Sequence, residues 1–312
     1  MTMIVVGGEN LIDFVQSGDG QHGPLYHAIP GGSPFNCAMA IARQGQKVGY
    51  LTPISSDALG RLLAGRLEED GVALLAPRRP EPSSLAVVSL TDGQATYGFY
   101  RDSTAERQIT SDTQLPKEAT AFHVGSLALI DGADAEHWEA LHNAASSAGL
   151  FTTLDPNLRP LMVKERAPYQ ARLERLFETV DLLKLSDEDL AWLMPDASFD
   201  EAVDALRART KAGLMVVTKG AEGAIGLTQS ARVVAPSRPA DPLVDTVGAG
   251  DTFMATLIAT CSANGWTSKE ALSALSETDL TALLHRAGTA ASLNCERAGC
   301  QPPSSQELTA AL

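Results

Sequence analysis

The sequence has no surplus of positive charge and no long apolar segment. It carries 24 Lys and Arg against 38 Asp and Glu, which gives a formal net charge of −14. Nucleic acids and anionic membranes attract clustered basic residues, so neither suits this surface as a partner. No apolar run approaches the ~18 residues that a membrane-spanning helix needs. We therefore expect a cytoplasmic protein that acts on small molecules.

Cysteine is scarce, and the common metal-ligand motifs are absent. The chain has 4 cysteines, no C-x-x-C pair and no H-E-x-x-H segment, so we expect reduced thiols and no structural zinc. Apolar residues are abundant by contrast, at 44% of 312 residues, and no break in composition divides the chain. A chain of this size and composition can bury one large core, and we interpret residues 1–312 as a single domain.

Short apolar runs alternate with amphipathic stretches along most of the chain. This order predicts an α/β fold with a mostly parallel central sheet and helices on both faces. Helices are predicted over 59–70 and 135–148, and each precedes a glycine. The predicted strands are Met3–Val6, Val48–Leu51, Ala121–Val124, Phe151–Leu154, Leu182–Lys184 and Leu214–Thr218.

Two segments read as hairpins instead of strand–helix units. Residues 12–30 contain a predicted turn at Gly18–Gly20, and residues 85–101 contain one at 91–93. Strands that lie outside the parallel sheet can form a small β lid over a cleft. Such a lid excludes water from a reacting group.

The most informative segment runs from Asp245 to Phe253, with the sequence D-T-V-G-A-G-D-T-F. Gly248, Ala249 and Gly250 leave backbone N–H groups uncovered, and the next residues have helical spacing, so the turn is typical of an anion site at a helix N-terminus. Asp251 would repel a bound phosphate unless it takes a proton from a hydroxyl that attacks that phosphate.

A second glycine pair, Gly31-Gly32, also opens a helix of small residues and is followed closely by Asn36. Two helix N-termini of this kind, far apart in the sequence, indicate that one cleft lies between them.

Together these two motifs resemble those of the ribokinase, or PfkB, family of sugar kinases, and the likeness spans the chain. The resemblance implies a ribokinase-like three-layer fold with a small β lid. It also implies that Gly248, Ala249 and Gly250 bind phosphate, that Asp251 is the catalytic base, and that Gly32 and Asn36 help to hold the sugar. Several local strings look most like the fructokinase branch, which transfers the γ-phosphate of ATP to the primary hydroxyl of D-fructose to form fructose 6-phosphate.

Further residues suit a sugar site on chemical grounds. Asp13 follows the first strand and can accept hydrogen bonds from adjacent sugar hydroxyls. Asn157 and Arg159 follow the strand that ends near Leu154, where open α/β sheets expose their ligand loops. Arg101 ends the second hairpin and could reach over the sugar.

The resemblance implies a nucleotide loop at Thr218, Lys219, Gly220 and Gly223, and an adenine pocket that includes Asn294. Neither a Walker A sequence nor a complete G-x-G-x-x-G occurs. Ser186 and Asp189 occupy the family's N-x-x-E element, in place of its Asn and Glu. Because Asp189 is one methylene shorter than Glu, we expect it to contact Mg²⁺ through water.

Some members of the family have a potassium site, and a set of residues here matches its positions. Their backbone carbonyl oxygens could coordinate K⁺. Pro303 stands where ribokinases carry a serine ligand, so K⁺ binding is left open. If the chain self-associates, we expect a homodimer through the lid. The potassium-site residues are Asp245, Val247, Asn294, Arg297 and Gly299.

Two other functions fit the same motifs. A 2-keto-3-deoxygluconate kinase of this family would use Arg101 and Arg159 to clamp its substrate's carboxylate. A non-catalytic sugar- or nucleotide-sensing protein could share the fold, although the intact Asp251 and the turn before it count against this.

Overall fold

The computed structural model describes residues 2–91 and 94–312, and gives only the backbone for 89–91 and 94–97. Within these ranges a nine-stranded sheet has the order β13-β12-β11-β10-β9-β8-β1-β4-β5. Neighbouring strands run parallel from β11 to β5, while β12 and β13 form an antiparallel edge. The strands are β1 Met3–Val6, β4 Val48–Tyr50, β5 Ala73–Leu74, β8 Ala119–Gly125, β9 Phe151–Asp155, β10 Leu182–Ser186, β11 Leu214–Thr218, β12 Ala224–Leu227 and β13 Arg232–Ala235.

Helices cover both faces of this sheet. Alternate residues of β1 point to opposite sides, so that Ile4 and Val6 join one buried apolar cluster while Met3 and Val5 join the other. The helices are α1 Ser33–Arg43, α2 Ala58–Glu69, α3 Gly132–Ser147, α4 Arg166–Thr179, α5 Asp187–Leu193, α6 Phe199–Arg209, α7 Ala249–Asn264, α8 Lys269–Ser273, α9 Glu277–Cys295 and α10 Ser305–Ala311.

The strand predictions are confirmed, and both predicted helices exist. Helix α2 begins after Asp57, whose carboxylate accepts a hydrogen bond from the Gly60 N–H at 2.6 Å. Helix α3 begins at Gly132, earlier than the expected residue 135, and Asp131 is its N-cap residue. The predicted three-layer α/β architecture is therefore present.

The two hairpins form one small sheet, of order β3-β2-β6-β7, as the lid hypothesis requires. Both hairpins are antiparallel, but β2 and β6 pair in parallel, which joins them edge to edge. The bounds are β2 Leu11–Gly20, β3 Gly23–Gly31, β6 Ser84–Thr91 and β7 Gln94–Tyr100.

The predicted position of the first turn was wrong. Gly18 and Gly20 lie within β2, and the chain reverses between Gly20 and Gly23. The register of β2 against β3 shifts between Gln16 and Gly18, so the first glycine accommodates an irregular strand rather than a turn. In the second hairpin, the predicted turn residues 92 and 93 lie outside the described residues.

Across residues 2–91 and 94–312, no helix is both long and apolar enough to cross a membrane.

Candidate active site

The predicted anion turn opens α7. Gly248 is the N-cap and has a left-handed backbone, with φ 76°. A Cβ atom at this position would lie 2.4 Å from Sγ of Cys300, so only glycine fits without displacing that side chain. The turn therefore presents the N-terminal amides of a 16-residue helix, which favour a bound anion.

The second glycine pair opens α1 beside it. Gly32 has φ 115°, and a Cβ atom there would lie 2.7 Å from the carbonyl oxygen of Glu9. This close approach fixes the start of α1 against the loop that follows β1. Because α1 packs on α7, the two helix N-termini predicted to share a cleft do meet.

Asp251 lies in the first turn of α7 and is bonded to α1. Its Oδ1 accepts a hydrogen bond from the Ser33 hydroxyl at 2.7 Å, and its Oδ2 accepts one from the Asn36 amide at 2.8 Å. The side chain of Asn157 also lies 3.4 Å from Oδ1. Burial raises the pKa of Asp251, while the hydrogen bonds from Ser33 and Asn36 oppose that shift. The carboxylate is thus held in one orientation at the anion turn.

The side-chain oxygen of Asn36 receives no hydrogen bond from the described residues. Its Oδ1 is buried and without a hydrogen-bond partner, although its amide nitrogen is bonded to Asp251. Buried polar atoms are normally paired, so this one is a candidate acceptor for a ligand hydroxyl.

Three further predicted residues lie near Asp251, apart from those of α1. They are Asp13, Asn157 and Arg159. Burial raises the pKa of Asp13 to about 6, with the charge of Arg159 lowering it and that of Asp251 raising it. Arg159 donates from Nη1 to the Asn157 side-chain oxygen at 2.6 Å, and Asn157 has a positive φ of 39°. Backbone strain of this kind is common at ligand sites. The structure therefore brings these predicted residues together with the carboxylate.

Lys184 was missed by the sequence analysis, although a lysine within an apolar strand was a visible signal. Its ammonium is 2.8 Å from Oδ2 of Asp155, and both side chains are almost fully buried. Burial lowers the pKa of Lys184, but the Asp155 carboxylate outweighs this and keeps it above its usual value. A Cβ atom on Gly250 would lie 3.3 Å from Nζ, which places a buried positive charge directly under the anion turn.

Arg101 has a different environment from the one expected. Its guanidinium is 4% exposed and forms a two-pronged ion pair with Glu106, at 2.8 and 3.2 Å, while Nη1 donates to the Leu127 carbonyl. Glu9 lies nearby. Burial raises the pKa of Glu9 to about 7, and the charge of Arg101 partly opposes this rise. The arginine therefore joins the end of β7 to the main body, and its contact with a sugar stays a prediction.

A cavity of about 480 Å³ lies on the far side of the turn. Ala249 and Gly250 form one end of it, and Thr218, Gly220 and Gly223 line it as the nucleotide-loop prediction requires. Lys219 points elsewhere, since its ammonium pairs with Glu222 and lies 4.7 Å over the ring of Phe199. The resemblance pointed to 290–294 of α9 for the adenine pocket, and 291 and 292 do line the cavity, whereas the loop 235–240 and residues 284, 288 and 295, which complete the walls, were missed.

This arrangement, a buried carboxylate on one side of an anion turn and a large cavity on the other, agrees with the comparison to known families. Residues 1–307 match the family described as pfkB family carbohydrate kinase. The chain belongs to this family. A fructokinase of Rhizobium leguminosarum bv. trifolii is 37% identical over 278 residues, which cover 88% of this chain and 84% of that protein.

Solved structures of fructokinases superpose closely on the chain. A Xylella fastidiosa fructokinase with bound ATP has a TM-score of 0.89 and 26% identity, with 99% of this chain and 97% of that one covered. A Vibrio cholerae O395 fructokinase with fructose, ADP and calcium bound has a TM-score of 0.82 and 26% identity, with 100% and 99% covered. The ribokinase-like fold is thereby established.

In this pfkB kinase, Ser186 and Asp189 form a capping box at the start of α5. The Asp189 carboxylate accepts backbone N–H groups from Ser186 at 2.8 Å and from Leu158 at 2.7 Å, so it ties two loops of the cleft together. Each oxygen retains a lone pair, which suits a contact to a hydrated cation. No group of three or more His, Cys, Asp or Glu side chains suited to a metal occurs among the described residues. The magnesium role of Asp189 stays a prediction.

The residues of the predicted cation site also lie together. Asp245 accepts N–H groups from Val247 and Gly299 at 3.0 and 2.8 Å, and Asn294 donates to the Val247 carbonyl at 2.8 Å. Arg297 instead pairs with Glu307. Asn294 is fully buried behind the cavity wall, bonded through both ends of its amide, so its expected contact with adenine lacks support here.

Proposed function

We propose that this pfkB kinase is an ATP-dependent fructokinase, which transfers the γ-phosphate of ATP to the primary hydroxyl of D-fructose and releases fructose 6-phosphate. The relatives reported above are named fructokinases, and one of the similar structures contains fructose and ADP. Family and relatives agree on a phosphotransferase that acts on a sugar hydroxyl.

One observation carries the mechanism: Asp251, in the first turn of the helix that the anion turn opens, is held by hydrogen bonds from Ser33 and Asn36 and lies near Asp13. A hydroxyl that reaches Asp251 is then adjacent to a phosphate bound at the turn. In its ionised form, Asp251 accepts the hydroxyl proton as the oxygen attacks the γ-phosphorus in line. Asp13 and the free Oδ1 of Asn36 accept hydrogen bonds from other hydroxyls and orient the sugar.

Charge on the transferring phosphoryl group is stabilised by groups that are already in place. The helix N-terminus supplies the amides of Gly248 and Gly250, while the Ala249 N–H donates to the Thr246 carbonyl at 3.2 Å, and Lys184 adds a buried positive charge beneath the turn. Magnesium, when bound with ATP, supplies further neutralisation of the phosphates, and Asp189 is the residue that we expect to hold its water shell.

The charges of the cleft favour a neutral sugar over an acidic one. Arg101 is already neutralised by Glu106, and Arg159 lies close enough to Asp13 and Asp251 to lower the pKa of both. A substrate carboxylate would therefore meet two carboxylates and no free pair of arginines. This supports fructose rather than 2-keto-3-deoxygluconate as the substrate.

The test is a sugar panel with ATP, read by ADP release, that includes both compounds. We expect kcat/KM for fructose to exceed that for the keto-acid, and Arg159→Ala to reduce fructose turnover without changing the ranking. A hundredfold preference for the keto-acid that disappears in Arg159→Ala would reverse the assignment. Absence of ADP release with every sugar would instead favour a sensing protein.

Three further points belong to the same proposal. The polypeptide acts as a single domain with residues 12–30 and 85–101 as its lid, in the cytoplasm where ATP is available. K⁺ would bind at the Asp245–Gly299 junction, and a K⁺ titration of activity tests this. Self-association would use the lid, which exposes Leu25 and Tyr100, and sedimentation would detect it.

A further inference from the structure

The cavity that we assign to the nucleotide is lined almost entirely by uncharged side chains. Of the described residues that line it, Arg238 is the only one with a charged side chain. It lies in the loop that follows β13, and neither the motifs nor the resemblance pointed to it. A lone cation in a largely apolar ligand cavity is a recognition group by default, because apolar walls supply little specificity.

Arg238 is held in place by two side chains at the end of α9. Its Nη1 donates to the Ser292 hydroxyl at 2.8 Å and to Oε1 of Glu296 at 2.7 Å, and both partners lie at the C-terminal end of α9. Oε1 of Glu296 also accepts the backbone N–H of Asp241 at 3.4 Å. The guanidinium thus connects the loop to the end of α9, and these bonds orient it without any ligand.

The remaining donors of Arg238 are free to meet a ligand. Within the described chain, no partner engages Nε or Nη2. The guanidinium has donors but no acceptor, and its flat face stacks on aromatic rings. These properties match a purine, whose ring nitrogens are acceptors and whose faces are aromatic.

The surroundings of Arg238 indicate which part of the nucleotide it meets. Ala249 and Gly250 line the cavity at the N-terminus of α7, and we assign the triphosphate to this end because a helix N-terminus attracts anions. The α9 face beside Ser292 presents Gly288 and Ala291, and a Cβ on Gly288 would meet nothing within 4 Å. Small side chains on a helix leave a flat slot that suits a base rather than a phosphate.

We propose that Arg238 recognises the base of the nucleotide and that Glu296 positions it for this purpose. The inference rests on the proposed use of ATP, and it adds a specificity-determining residue at the end of the site remote from phosphoryl transfer.

The first experiment compares wild type with Arg238→Ala. We expect KM for ATP to rise about tenfold or more, as for loss of a hydrogen bond from a charged group, with kcat and KM for fructose within about twofold. Two competitive inhibitors of ATP binding test the two ends of the site independently. Adenosine reports on the base end, and inorganic tripolyphosphate reports on the phosphate end. The inhibition constant of adenosine should rise in parallel with KM, and that of tripolyphosphate should not change.

Two variants serve as controls. Arg232→Ala removes an arginine of β13 that pairs with Asp200 and Asp204, outside the cavity, and should leave all constants unchanged. Glu296→Gln keeps the size of the side chain but loses its charge, and should weaken adenosine less than Arg238→Ala does. A thermal melt of each variant shows whether the protein is folded. Calorimetric titration then measures its affinity for ATP directly.

Two results of these measurements would overturn the proposal. Weaker tripolyphosphate inhibition with unchanged adenosine inhibition would make Arg238 a phosphate ligand and overturn the proposal, as would unchanged ATP affinity in a folded Arg238→Ala protein. If wild type fails to phosphorylate fructose, the proposed function fails, but calorimetry with adenosine still tests the role of Arg238. Should Arg238→Ala not fold, Arg238→Gln, which can keep the bond to Glu296, replaces it in the same comparison.

Discussion

Replacing Lys184 by methionine tests whether a buried charge beneath the anion turn contributes to phosphoryl transfer. Methionine is unbranched and of similar length, so it fills the same space without the ammonium. The variant removes two things at once: the positive charge near the phosphate, and the partner of Asp155 at 2.8 Å. Each loss has its own expected size and its own measurement.

The catalytic effect follows from the position of Nζ. A Cβ on Gly250 would lie 3.3 Å from it, so a phosphate oxygen bonded to the turn amides sits only a few ångströms farther away. At an effective dielectric constant of ~20, unit charges about 5 Å apart interact by about 3 kcal/mol. If that stabilisation is made mainly in the transition state, kcat falls by on the order of 10².

The structural effect comes from the carboxylate that is left behind. Breaking a buried ion pair by removing one partner costs about 3–5 kcal/mol of unfolding free energy. Burial already raises the pKa of Asp155 to about 6, and Lys184 holds it down, so without the lysine the pKa rises further. The carboxylic acid is then neutral at low pH. The stability deficit of Lys184→Met relative to wild type should therefore shrink as pH falls toward about 6 and stay level below it, where Asp155 is protonated in both folded proteins.

A double variant, Asp155→Asn with Lys184→Met, separates the two effects. It buries no charge, so urea unfolding should place it within about 2 kcal/mol of wild type, while kcat from ADP release at saturating substrates stays on the order of 10² lower. The reasoning is refuted if the double variant regains stability and also turns over within about threefold of wild type. Lys184 would then serve only to neutralise Asp155.

Three further predictions use other residues of the cleft. Asp251→Asn should lower kcat by at least ~10² while ATP and fructose affinities stay within several-fold, since the amide keeps the shape but cannot take the proton; more than about a tenth of wild-type kcat would contradict this. Asp13→Ala should raise KM for fructose strongly with little change in KM for ATP, and a shift confined to ATP would misplace the sugar site. Glu9→Gln should stabilise the fold at pH 8 by on the order of 2–3 kcal/mol, because burial raises the Glu9 pKa from 4.5 to about 7 and its ionisation above that pH is costly. That gain should decline as pH falls from 7 to 4.5 and vanish below, where the glutamate is protonated in folded and unfolded chains alike; an equal effect at pH 4 and pH 8 in denaturant titrations would exclude the charge as its cause.

Much of the active centre was predictable because its chemistry is local in sequence. The turn at Gly248–Gly250 and the start of α7 follow from small residues before an apolar helical pattern, and Asp251 stands out there as an unexpected acid. The parallel sheet follows from apolar runs that alternate with amphipathic stretches. These signals depend on spacings of a few residues, which backbone geometry imposes directly.

The misplaced lid turn shows where local signals fail. Gly18–Gly20 looked like a turn, yet Gly20 pairs with Gly23 and the strand continues through the glycines. Which glycine makes the turn depends on the register of β2 against β3, which runs from Leu11 opposite Gly31 to Gly20 opposite Gly23. That register is set along the whole length of the two strands, so a short glycine-rich stretch alone does not locate the turn.

The sequence by itself determined the sheet and the two glycine-marked helix N-termini, and it singled out Asp251 as the proposed base, since each depends on residues that are neighbours along the chain. Only the tertiary structure decided how charges pair across distance. It placed Arg101 on Glu106, Lys184 on Asp155 and Arg238 on Glu296, the last across 58 positions of the chain. A charge taken out of water must find a partner in space, and the fold rather than the local sequence determines which partner is within reach.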